Sequence, residues 1–190
     1  MPIQSAQDLL IHELQSIQDA EGQAARALKA HLKEAEDEEL CELLERRMKE
    51  GEHVLKDVRK CLDKLDGKGR GIKNKAARGL IEEAEETAES VTSPEMKDAV
   101  IIAGAQKLEH YCIAAWGTVK AIAGELAEEE LAQAMQRALD EGYRWDEDMS
   151  ELAEGSINPT AIESEGEEQD EAARASKSKQ SSRRGKKRPA

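Results

Sequence analysis

Four stretches of this chain each place an acid in, or at the edge of, an apolar helical seam near mid-length. The first, about residues 5–31, repeats Leu10, Leu14, Ile17, Glu21, Ala24 and Leu28 at spacings of three and four, one face of a helix. The second, about 37–65, runs Leu40, Leu43, Leu44, Arg47, Glu50, Val54, Val58, Cys61, Leu62 and Leu65 along one side. The third, about 94–124, carries Ala99, Ile102, Gln106, Glu109, Ile113, Trp116 and Lys120. The fourth, about 128–153, carries Leu131, Met135, Ala138, Gly142, Trp145, Met149 and Leu152, with Glu141 at its edge. Burying one unpaired carboxylate costs several kcal/mol, and acids gathered at one depth also repel each other. A fold that buries these seams together must therefore supply positive charge at its centre or turn the acids outward.

Local signals agree with long helices. Phe is absent, with only two Trp and two Tyr, whereas a sheet core would draw on aromatic and β-branched residues. Ala, Leu, Glu, Lys and Arg, the strong helix formers, dominate instead. Ser5 with Asp8 approximates a capping box, the acids after Asp37 suit an N-terminal turn, and Ser93-Pro94 marks a third start. "DGKGRGIKNK" (66–75) reads as a loop, and a short helix follows over about 74–89. The Gly-rich loop has neither the preceding strand nor the complete spacing of a phosphate cradle. These elements predict an all-α protein: a four-helix bundle with a short additional helix between the second and third long helices. The long connection over about 66–93 lets the third helix avoid running antiparallel to the second, which is the ferritin-like crossover.

Charge divides the chain. The net charge is −13, yet residues 172–190 hold eight Lys/Arg and no acid, and 163–171 hold six acids and no base. This predicts a bundle over 1–154 and a disordered, acidic-then-basic tail over 155–190. The acidic body would repel nucleic acid, while the cationic tail could make weak, salt-sensitive, sequence-blind contacts with it. No apolar run is long enough to span a membrane, and no secretory leader pattern opens the chain. Cys41, Cys61 and Cys112 are odd in number and lack motif spacing. A cytoplasmic protein with free thiols is expected.

Carboxylates and imidazoles on facing helices are how a bundle holds two iron or manganese ions. Glu21, Glu50, Glu109 and Glu141 are the candidate carboxylate ligands, and Glu50 with His53 has the Glu-x-x-His spacing that puts both side chains on one face. His110 is a further nitrogen donor, although it lies about 100° round the helix from Glu109. The position matching His53 after Glu141 is Arg144, which is no ligand. The competing reading has the acids at bundle edges, ion-paired with Arg47, Lys120 or Arg144. His12 and His31 read as packing or surface residues. Trp116 and Trp145 read as core or interface anchors.

The stretch "AVIIAGAQKLEHYCIAAWGTVKAIA" (99–123) resembles the signature helix of the YciE/YciF family of ferritin-like, stress-associated bacterial proteins. "LLIHELQSIQDAEGQAARAL" (9–28) and "RGLIEEAEE" (78–86) are similar to the same family, "ALDEGYRWDEDMSELA" (138–153) more loosely, in collinear order over about 1–154. The resemblance implies a ferritin-like bundle, paired as a homodimer, with a dinuclear iron-type site and a role in stress response or metal handling. By position, Glu21, Glu50, the Glu109-His110 pair and Glu141 match the family's acids and its Glu-His pair. Cys112 stands where the family has Glu, Gly142 where it has an acid, Gln18 where it has Tyr and Arg78 where it has an acid, while His53 is foreign to the pattern. Two ligand positions are thereby lost. Two functions remain open: an iron- or manganese-binding protein with a reduced site, and a non-catalytic dimeric helical protein whose tail contacts nucleic acid or acidic partners.

Overall fold

A computed structural model describes residues 3–67 and 71–164. Five α-helices follow in order: α1 (Ala6–His31), α2 (Glu38–Lys64), α3 (Lys75–Glu89), α4 (Pro94–Glu125) and α5 (Glu129–Leu152). Among the described residues there is no strand. Three of the five starts are capped by a side chain, and α4 instead opens on Pro94. Ser5 Oγ accepts from the Asp8 N–H at 3.0 Å, Asp37 Oδ1 from the Leu40 N–H at 2.9 Å and Asn74 Oδ1 from the Ala77 N–H at 2.9 Å.

The long helices form a ring in which α1 packs on α2 and α4, α5 on α2 and α4, and α3 lies over α1 and α4. Their directions follow from contacts at the ends. The N–H groups of Glu36 and Asp37, just before α2, donate to Asp98 in the first turns of α4 at 3.1 and 3.0 Å. At the other end, Lys64 of α2 meets Glu128, which directly follows α4, at 2.7 Å. So α2 and α4 start together and end together. The connection between them, carrying α3, returns the chain along the bundle, as the ferritin-like crossover requires. Gly104 permits the close approach of α3 to α4, because a Cβ there would lie 2.7 Å from the Ala84 methyl group. Asn74 fixes the start of α3: its side chain donates to Ser16 Oγ and Tyr111 Oη, and its backbone N–H to Asp19.

The core has two large apolar clusters on either side of a polar layer, and a small third one, Ala20, Ala24, Ala77 and Leu108, under α3. One large cluster contains Leu14, Ile17, Val54, Val58, Trp116 and Met135. The other large cluster contains Leu28, Leu40, Leu44, Ile102, Trp145 and Met149. Trp116 and Trp145 are core anchors, and the Trp145 indole N–H donates to the Leu43 carbonyl at 2.8 Å.

The helical course does not stop at residue 154, where sequence patterning places the boundary. A π-helical turn, Ala153–Ile157, leads into a helical segment over 158–164, and Ile157 and Ala161 are buried. Two apolar residues a turn apart suffice to dock this extension, although the surrounding composition is polar. The acidic-then-basic segment from 165 to 190 lies outside the described residues. None of the described helices is long and apolar enough to cross a membrane.

Candidate functional site

The polar layer sits where the four seams bring their charged positions together. Glu21 of α1 and Glu109 of α4 are buried, with 1% and 3% of their surface exposed. Between them lies Arg47 of α2, 2% exposed. Its Nε donates to Glu109 Oε2, and its Nη2 donates to Glu21 Oε2 at 3.2 Å and Oε1 at 3.4 Å. The guanidinium carbon stands 5.2 Å from the centroid of the Trp116 ring, a cation–π distance.

Arg47 is seated by a glycine. A Cβ at Gly51, one turn along α2, would come within 2.8 Å of Arg47 Nη1 and 3.0 Å of Glu21 Oε2. Glycine inside a helix costs about 1 kcal/mol against alanine, so a mid-helix glycine here exchanges helix propensity for room at the ion pair. Gly142 of α5 does the same on the far side, where a Cβ would meet Glu109 Oε1 and Trp116 at 2.7 Å each.

Burial and charge oppose each other at every group. Burial alone would lower the pKa of Arg47, but the Glu21 and Glu109 carboxylates hold it well above its ordinary value. Burial pushes the Glu109 carboxyl up, and Arg47 only partly offsets this. Burial likewise pushes the Cys112 thiol well up beside the same groups. Glu50 is half-buried and also raised by burial, against the pull of Arg46. Two buried carboxylate oxygens, Glu109 Oε1 and Glu50 Oε2, have no hydrogen-bond partner. Both residues line a narrow gap with Arg47, Trp116, Glu141 and Gly142.

The six candidate ligands are thus divided. Glu21 and Glu109 converge on Arg47, while Glu50 and Glu141 border the adjoining gap. His53 is exposed and faces an outer groove with Asp57 and Glu141. His110 is also exposed and lies 3.2 Å from Asp146 of α5. Neither imidazole is on the buried centre. Of the reading that set the acids at bundle edges and paired them with Arg47, only the pairing holds: Glu21 and Glu109 meet Arg47 in the buried interior, not at an edge. Neither Lys120 nor Arg144 is ion-paired with Glu21 or Glu109, although the Arg144 charge opposes the upward shift of Glu50. Three further polar anchors carry no strong sequence signal: Asp98, Asn74 and Gln106, whose amide N–H donates to Asp146 Oδ1 and Ser150 Oγ.

These residues do not fit a metal ion as they stand. The guanidinium already occupies the point between Glu21 and Glu109, and a second cation there would be repelled in a low-dielectric site. The gap beside it is too tight for a water molecule. Among the described residues, no three His, Cys, Asp or Glu side chains stand together as metal ligands.

Fold and centre together define a ferritin-like helical bundle whose two buried carboxylates share one internal guanidinium. The chain belongs to the family described as a domain of unknown function (DUF892), whose model matches residues 5–162. It is 32% identical over 162 residues to protein YciF of Escherichia coli (strain K12), covering 85% of this chain and 98% of that one. The crystal structure of the E. coli stress protein YciF superposes with a TM-score of 0.76 at 31% identity, over 82% of this chain and 99% of that one. The structure of YcfI from Rhodopseudomonas palustris gives a TM-score of 0.73 at 33% identity, over 78% and 94%.

Proposed function

We propose that this chain is a non-redox member of its stress-associated family, a bundle that acts through its surfaces and not through bound iron or manganese. The observation carrying this reading is the place of Arg47, hydrogen-bonded to Glu21 and Glu109 where a metal would need those carboxylates. E. coli YciF is named a stress protein, and YcfI is provisionally described as structural. The second description suits a protein without a reaction centre. Its three free cysteines suit a reducing, cytoplasmic setting.

The competing reading gives Glu21, Glu50, Glu109 and Glu141 an iron or manganese pair, with His53 or His110 as nitrogen donor. It requires the Arg47 guanidinium to leave a site where it is 3% exposed and twice ion-paired. Metal analysis of the full chain, purified without chelator, separates the two. The expected result is iron and manganese far below one ion per chain, equal in wild type, Glu50→Ala and Glu109→Ala. About one or two ions per wild-type chain, lost in the variants, would overturn the proposal.

A further inference from the structure

We infer that the acidic groove between the start of α2 and the end of α5 is the docking site for this chain's own basic segment, residues 172–190. Three observations carry it. The groove, of about 510 Å³, is bordered by Glu39, Glu42, Asp148 and Glu151 against a single base, Arg46. Arg46 is held by Asp148 at 2.5 Å. Glu39, Glu42 and Glu151 are exposed and make no ion pair among the described residues. The floor is apolar, formed by Leu43 and Leu152. Lysine and arginine stems can lie on such a floor while their charged heads reach the carboxylates at the rim. Gly155 and Ser156 also line the groove, so the chain leaves the body along it.

The basic segment is within reach and matches in charge. The helical stretch 158–164 carries the chain about 10 Å beyond the groove. Residues 165–171 span up to about 25 Å when extended, enough to bring residue 172 back. A tether this short gives an effective concentration in roughly the millimolar range, so weak charge pairing suffices. The segment itself holds eight Lys/Arg and no acid. Other grooves suit it less. Near the end of α2, Asp57, Glu128 and Glu130 are already paired with Arg137, Lys64 and Lys60. Glu85 and Glu89 line a groove beside His31 that residues 155 and 156 do not border. Docking withholds the cations from phosphate polyanions, so a nucleic acid must compete with the bundle for them.

The test is zero-length carbodiimide cross-linking of the full-length wild-type chain at low salt, read by mass spectrometry on an equal mixture of ¹⁴N- and ¹⁵N-labelled protein. Lys186 and Lys187 should couple to Glu39, Glu42 or Glu151 of the same chain, at several times the yield seen with Glu85 and Glu89. High salt should suppress these cross-links. Trypsin gives a second readout. Cleavage within 172–190 should be severalfold faster in Glu39→Gln/Glu42→Gln/Glu151→Gln than in wild type, and unchanged in Glu85→Gln/Glu89→Gln. Cross-links of these lysines that are confined to 163–171, spread evenly over the acidic surface or join two chains overturn the inference. So does equal cleavage of wild type and the triple variant. Metal bound at the wild-type centre would overturn the non-redox reading and leave all these outcomes unchanged, so the two failures are distinguishable.

Discussion

At the scale of single residues, Arg47 decides how the centre behaves. Breaking a buried ion pair by removing one partner costs about 3–5 kcal/mol, because the other charge stays buried and unpaired. Replacing every member by apolar groups of similar volume is often neutral or better. Arg47→Met should therefore destabilise by about 3–5 kcal/mol, and Glu21→Leu with Glu109→Leu added should restore most of that loss. Chemical denaturation of the single and triple variants checks the contrast, and a triple variant as unstable as Arg47→Met would contradict it. The centre also gives stability a pH dependence. Burial raises the Glu109 carboxyl above its ordinary 4.5, with Glu50 moved in the same direction. A raised carboxyl binds its proton more tightly in the folded chain than in the unfolded one. Its contribution is thus complete below about pH 4.5 and is lost as pH rises through the folded-state value. Melting curves across this range should show this decline in wild type and a flatter profile in Glu109→Gln. Identical slopes would remove Glu109 as the cause.

At the scale of elements, the ends and connections carry distinct energies. Asp98 of α4 is 5% exposed and accepts the Glu36 and Asp37 N–H groups that precede α2. Asp98→Ala removes the acceptor of two part-buried N–H groups, a loss of about 1 kcal/mol. Ala127, in the short link between α4 and α5, has φ of 55°, a left-handed conformation that costs a residue with a Cβ about 1–2 kcal/mol. Ala127→Gly should therefore stabilise by up to about 1 kcal/mol, while Asp98→Ala destabilises. Urea midpoints moving in opposite directions verify both. The helices themselves were legible: the seams, caps and Gly-rich loop predict every boundary to within about a residue. The extension over 158–164 was not, because its docking depends on Ile157 and Ala161 finding the bundle surface. Those two contacts continue the four-residue spacing of Met149 and Ala153, but the polar residues around them mask it.

For the whole molecule, charge and exposure suggest how it meets partners. Between His110 and Glu125 the exposed residues of α4 are Ala114, Thr118, Ala121 and Gly124, all uncharged. In a chain that is 36% charged, such a face suits a second copy, consistent with the homodimer that the family resemblance implies. Ala121→Arg should convert a dimer to a monomer in light scattering, and a monomeric wild type would exclude this pairing. Residues 172–190, outside the described structure, hold eight cations and no acid. The tail contact with nucleic acid that the sequence predicts would give a mobility shift that falls steeply with salt and vanishes on their deletion, and no shift at low salt would remove it. A mobility shift unchanged by that deletion would place the contact elsewhere.

The sequence by itself determined the helices, their order and the seam positions of the acids, which are periodic or local properties that hydrophobic spacing records directly. The crossover was only allowed by the long connection, and whether the acids lay at the centre or at the edges was left open. The sequence also placed Arg47 in the second seam, three residues before Glu50 and four before Gly51, among the possible partners of the acids. Only the tertiary structure decided that Arg47, and not Lys120 or Arg144, stands between Glu21 and Glu109. It also left both His53 and His110 on the surface. The physical reason is rotational. Periodicity shows that a residue lies in a seam, but a few tens of degrees of helix rotation decide which side chain reaches the axis. That rotation is set by packing against the neighbouring helices, including the absence of a Cβ at Gly51 and Gly142.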